Sequence, residues 1–269
     1  MEIAKFLPEI FDMLAQGKNL NLFSSLNLIS IVYNNFNFYE NGSKYFTKYL
    51  VIDDKIDKKR GLFKRDIAEK VSNLKLNKEL VNEYFNQLRE ILHSLKYTVI
   101  DIEITTRTKA LIGVSTSLGK LIFDSGISFD PYMNLPYIPA SEIKGIVRSY
   151  IEDKLSEQEA KEIFGDEERE GNVNFTDAYP VKAESFVFVP DVITPHYNKK
   201  RSEMDAEPTP IIHLTIAPKV TFRFLIYYKR EDVGKPVCDT LPFVVIRGLG
   251  ARSSVGYSLF ELSKVEAIK

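Results

Sequence analysis

The period of the apolar residues changes abruptly near residue 97, and that change constrains the fold more than any other feature of the chain. In "VNEYFNQLREILHSL", Val81, Tyr84, Phe85, Leu88, Ile91, Leu92 and Leu95 recur at helical spacing, while Glu83, Gln87 and Glu90 face away. In "YTVIDIEITTRT", immediately after, Ile100, Ile102 and Ile104 alternate with Asp101, Glu103 and Thr105, which predicts a half-buried strand. Two further apolar helices are expected upstream, around residues 4 to 15 and 22 to 36. The charged stretch "IDKKRGLFKRD", residues 56 to 66, reads as a solvated connection.

Downstream, Ile143, Ile146, Val147, Tyr150 and Ile151 repeat at helical spacing behind Pro139, so a helix follows the strand. Apolar strand candidates come next at 172 to 176, 185 to 190 and 211 to 216. In "VTFRFLIYY", Val220, Phe222, Phe224, Ile226 and Tyr228 share one face of a strand. Residues 240 to 247 suit helix or strand equally, and "VGYSLFEL" closes the series as a strand. This order is compatible with an α+β, ferredoxin-like core, residues 97–269, behind a helical N-terminal region, residues 1–96, packed on it.

Charge and cysteine content narrow the function classes. Lys plus Arg number 36 against 37 Asp plus Glu, so no global field draws the molecule to nucleic acid or membrane, and any polyanion site is a local patch. Cys238 is the single cysteine, and no apolar run has the length of a membrane span, which points to the cytoplasm. No cluster of carboxylates and histidines has ligand spacing, so neither a metal nor another cofactor is expected.

Three segments carry candidate chemistry. In "RGLGARSSVGYS", residues 247 to 258, Gly248 and Gly250 open a G-x-G, but Ser253 stands where a dinucleotide fingerprint needs its third glycine, and no Walker loop exists. What remains is a turn in which backbone N–H groups and the Ser253 and Ser254 hydroxyls can converge on an anion, with Arg252 supplying charge. The competing reading is a helix cap at Gly248 followed by a tight turn into the last strand. In the proline-bounded stretch 190 to 212, His196 and Tyr197 are followed by Lys199, Lys200 and Arg201, the ingredients for stacking on unpaired bases and screening phosphates; an ordinary solvated loop is the alternative. On the helix after Pro139, Lys144 and Arg148 are neighbours four residues apart, with Gly145 leaving room for close approach.

The segments "LPYIPASEIKGIVRS", "FGDEEREGNVNFTDAYP", "DVITPHY" and "GLGARSSVGYS" occur in an order and spacing that resemble the RAMP superfamily of CRISPR proteins, and "DVITPHY" resembles the family of sixth subunits of type III-B (Cmr) effector complexes. The resemblance covers roughly residues 97 to 262. It implies an RRM-like ferredoxin core with a glycine-rich loop, and a short helix at 240 to 247. It also implies a non-catalytic, RNA-binding subunit near the end of a filament, holding the 3′ part of the guide CRISPR RNA. Its partners would be guide and target RNA, the RAMP backbone subunit that cleaves target RNA, the small helical subunit and another capping RAMP subunit. By that analogy Lys144, Arg148, His196, Tyr197, Lys199, Lys200, Arg201, Gly248, Gly250, Arg252, Ser253 and Ser254 line the RNA path. The superfamily more often has Lys where Arg252 stands, and often glycine where Ser258 stands.

Two other readings remain. Some relatives with this loop process guide precursors with a histidine, so the chain could be a metal-independent endoribonuclease with His196 as general acid/base. His93, in a helix, and His213, in an apolar strand, are read as structural. Alternatively the chain is chiefly an assembly part, with RNA passing nearby.

Overall fold

The computed structural model describes residues 78–268 except 116–117, 119–122, 124 and 194–210; before residue 78 it describes Met13, Asn21, Leu22, Ser25, Leu26, 64–65, 67–72 and Leu76. The chain divides into two compact units, one of residues 76–114, 135–187 and 216–269, the other of 1–75, 115–134 and 188–215. No described helix is long and apolar enough to cross a membrane.

The first unit holds helix α1 (Lys78–Ser94), strand β1 (Thr98–Thr106), helices α2 (Ala140–Ile151) and α3 (Glu157–Phe164), and strands β2 (Val173–Phe175) and β3 (Tyr179–Ala183). The second unit contributes β4 (Phe188–Ile193) and most of β5 (Ile211–Ile216), which pair with each other, and there the Thr215 hydroxyl donates to the Val189 carbonyl at 2.9 Å. Strand β6 (Val220–Tyr228), helix α4 (Glu231–Arg247) and strand β7 (Phe260–Ile268) complete the first unit.

Its sheet runs β7-β1-β6-β2, with β3 also paired to β6, and every pairing is antiparallel. Opposite one another stand Ile100 and Ile226, Ile102 and Phe224, and Ile104 and Phe222, so the alternation read in each strand meets in one apolar face. Helix α4 lies over that face. A Cβ on Gly234 of α4 would sit 2.3 Å from the Tyr228 ring, so only glycine admits this contact.

Much of the other face is covered too, although β7 stays largely exposed. On it Arg223 reaches Asp101 with Nε at 2.9 Å from Oδ1 and Nη2 at 2.5 Å from Oδ2, and donates to Asn82 and Asn86 of α1 at 3.4 and 3.1 Å. The Phe85 ring of α1 lies 5.3 Å beneath the same guanidinium. Helix α1 thus covers the sheet with its apolar stripe and satisfies a buried charge pair at the same time.

Several expectations are corrected. β1 alternates as expected only in its second half, where Glu103 and Thr105 are half-buried between buried neighbours; Asp101 is fully buried because α1 packs on its side of the sheet. The strand expected at 185 to 190 runs from Phe188 to Ile193, and β3 was not anticipated. The ambiguous 240 to 247 stretch is helical, as the resemblance implies, but the helix is 17 residues long and begins at Glu231. The last strand starts at Phe260, because residues 253 to 255 form a 3-10 turn. The helices expected at 4 to 15 and 22 to 36 lie outside the described residues but for Met13, Leu22, Ser25 and Leu26, all helical. So does the 56 to 66 connection, except Lys64 and Arg65, which are helical rather than loop.

Candidate nucleic-acid interface

The glycine-rich loop is built by the end of α4 and by the stretch that follows β1. Gly248 ends α4 at φ +112, its N–H donating to the carbonyls of Val244 and Val245, so the helix-cap reading of this glycine holds. Gly250, at φ +129, lies against the strand extension: a Cβ there would meet the Leu111 carbonyl oxygen at 2.6 Å and the Ser258 hydroxyl at 2.8 Å. Ala251 donates to the Leu111 carbonyl at 2.8 Å, and the Ser258 N–H to that of Lys109 at 2.9 Å. Arg252 takes the left-handed conformation at φ +62, and its carbonyl accepts from both Val255 and Tyr257 at 3.1 Å.

That folding leaves one side open. Arg252 and Ser254 are exposed, Gly250 and Ser253 half-buried. Among the described residues no hydrogen bond within the chain engages the N–H groups of Gly250, Arg252, Ser253 or Ser254. The loop therefore caps a helix and also presents unused donors beside an exposed guanidinium.

Sequence reasoning misses Ser258. This residue is buried at φ +57, and its hydroxyl accepts from the Leu111 N–H and donates to the Ala251 carbonyl, both at 3.0 Å. A glycine would suit the backbone there. The serine adds a side-chain tie across the base of the loop. The signal available in the sequence was that departure from glycine.

Lys144 and Arg148 are both half-buried on α2. Burial first, then the positive charge of Arg148, holds the Lys144 ammonium below the usual lysine range, with Glu170 opposing. Arg148 is already engaged, donating to Glu152 at 3.0 and 3.1 Å and weakly to the Gly165 carbonyl at 3.5 Å. Nothing lies within 4 Å of a Cβ built on Gly145, so the space beside the pair is open. The first turn of α2 is fastened to the same strand extension as the loop, since Glu142 accepts from the Gly113 N–H at 2.9 Å. Burial raises the Glu142 carboxyl above the ordinary glutamate value, and the Gly113 hydrogen bond opposes that shift. Residues 110 to 113 thus anchor both cationic elements.

His196, Tyr197, Lys199, Lys200 and Arg201 lie outside the described residues. His93 is exposed in the last turn of α1, and His213 is buried in β5. Among the described residues no group of three or more histidines, cysteines or carboxylates could hold a metal. Cys238, half-buried on α4, has its thiol pushed up to about 11 by burial, so it is not a ready nucleophile.

An antiparallel sheet flanked by helices, with a glycine-rich loop ahead of its edge strand, is the arrangement of a known class: the RAMP superfamily model matches residues 103–261. The CRISPR system CMR subunit Cmr6 of Saccharolobus solfataricus is 70% identical over 283 aligned positions, which take in 100% of this chain and 99% of that protein. A chain in the cryo-EM structure of the type III-B Cmr-beta bound to cognate target RNA shares 66% identity and superposes with a TM-score of 0.89, covering 99% of each chain. The chain belongs to the RAMP superfamily and, within it, to the Cmr6 family.

Proposed function

We propose that this chain is a non-catalytic, RNA-holding subunit of a type III-B (Cmr) RNA-guided effector complex in the cytoplasm. The observation that carries the reading is the full-length likeness to a chain of a Cmr assembly bound to its target RNA. In this role it holds the 3′ part of the guide RNA, meets target RNA, and contacts the RAMP backbone subunit, the small helical subunit and another capping RAMP subunit. Base pairing by the guide selects sequence, so the protein need grip only backbone and shape.

The core is read as ferredoxin-like and RRM-like. Supporting this, β1, the β2–β3 arm, β6 and β7 taken as strands one to four stand in the order four, one, three, two, with α2 and α4 as the two crossovers. In an open RRM sheet, bases stack on the exposed face. Here α1 covers that face over β1, β6 and β3, which favours RNA contact through loops and helix ends: Lys144, Arg148, Gly248, Gly250, Arg252, Ser253 and Ser254, together with His196, Tyr197, Lys199, Lys200 and Arg201. Target cleavage is left to the repeated backbone subunit.

Filter binding to single-stranded RNA across a salt series tests the site. Replacing Lys144 and Arg252 together by Ala should weaken binding and flatten the salt slope by roughly one to two units. A slope identical to wild type counts against both positions. Incubation of the full chain with repeat RNA in EDTA tests the absence of chemistry: cleavage that disappears in His196→Ala would overturn the non-catalytic assignment.

A further inference from the structure

The outer surface of α2 and α4 carries an aromatic and cationic patch that the glycine-rich loop does not include. Tyr150 of α2 and Phe243 of α4 have nearly parallel rings, 5° apart in plane and 6.5 Å between centroids. The guanidinium of Arg247 and the ammonium of Lys154 each lie 5.1 Å from the centroid of the Tyr150 ring. Phe243 itself is 59% exposed. Among the described side chains neither cation lies within ion-pair distance of a carboxylate.

A single exposed ring is ordinary on a protein surface; what distinguishes this one is the parallel ring and the two cations beside it. What surrounds it decides the chemistry of what can cover it. The parallel planes set the orientation of the exposed Phe243 ring, the surface a flat ligand would meet, while the cations lie against Tyr150. Two cations beside the rings oppose a negative charge carried next to that flat group. A nucleobase with its flanking phosphates has this combination. Arg247 also directly precedes Gly248, so the patch adjoins the start of the loop along the chain.

We infer that Phe243 is a stacking platform for one unpaired base of single-stranded RNA, with Tyr150 holding Arg247 and Lys154 in place for the phosphates beside that base. This rests on the RNA-holding reading above and extends it to a site formed by two helices. The occupant is RNA in preference to an apolar protein surface, because the ring is bordered by uncompensated positive charge.

The test is fluorescence anisotropy of the full chain with a short labelled oligouridylate and with the same backbone carrying abasic nucleotides. Wild type should prefer the oligonucleotide with bases. Phe243→Ala should lower affinity for it at least about fivefold and up to about 150-fold, the loss expected for one stacked base, with little change for the abasic strand and no change in salt slope. Phe243→Trp should retain binding. Thermal melts establish that the variants fold. If Arg252→Ala weakens binding and Phe243→Ala does not, the platform is overturned while the RNA-holding reading stands. If Phe243→Ala binds RNA normally but no longer assembles with the other Cmr subunits, the patch is a protein interface and the proposal fails. Wild type that binds neither strand overturns both readings.

Discussion

Ser258 shows how one side chain changes what a loop can do. The position demands a left-handed backbone, which disfavours any residue with a Cβ by roughly 1–2 kcal/mol. The serine meets that cost with a hydroxyl that joins the Leu111 N–H to the Ala251 carbonyl inside the protein. Ser258→Ala keeps the strain and strands a buried N–H, so it should destabilise the chain by about 1–3 kcal/mol, read by urea denaturation. Ser258→Gly relieves the backbone while losing the same bonds, and should fall between alanine and wild type. An alanine variant as stable as wild type would show that the hydroxyl tie contributes nothing. At this scale the sequence was partly legible. Gly248 is recognisable as a helix cap because a glycine after an apolar run has few other uses. The bonding of Ser258 is not, since its partners lie at positions 111 and 251 and no local pattern links them.

Among the elements, α1 and the sheet are held by contacts of two kinds. Val81, Phe85 and Leu92 bury the apolar stripe, and the Asp101–Arg223 pair fixes where the helix sits. Removing one member of a buried pair leaves an uncompensated charge, so Arg223→Ala should cost about 3–5 kcal/mol. Replacing both residues with apolar side chains of similar size should recover most of that loss. Equilibrium unfolding monitored by circular dichroism checks both; a double variant no better than the single one would mean that the pair does more than satisfy itself. The alternation of Ile100, Ile102 and Ile104 made β1 readable, but the burial of Asp101 was not, because its hydrogen-bonded partner Arg223 is 122 residues away. Helix α4 was not legible from periodicity: residues 240 to 247 fit helix or strand equally, and only the family resemblance implied a helix there. Gly234, Pro236 and Pro242 all read as breakers, and the reason for one of them, the Tyr228 ring against Gly234, exists only in the folded protein.

For the molecule as a whole, near-neutrality sets the strength of its hold on RNA. A net formal charge of −1 supplies no long-range attraction, so binding depends on the few cations at the loop and helix ends. With two to four phosphate contacts at about 0.7 units each, affinity for single-stranded RNA should fall about seven- to fiftyfold between 50 and 200 mM salt. A thousandfold fall, measured by the same anisotropy assay, would require many more contacts than the described cations provide.

The strand order carries a further consequence for the chain during synthesis. β1 is the first strand of its sheet to leave the ribosome, yet both of its neighbours, β6 and β7, are encoded more than 110 residues later. Until residue 220 has emerged, Ile100, Ile102 and Ile104 have no strand beside them, and Asp101 still lacks its hydrogen-bonded partner Arg223. The nascent polypeptide must therefore carry its central strand unpaired while more than 110 further residues are made, an interval in which holdase chaperones have a sticky segment to guard.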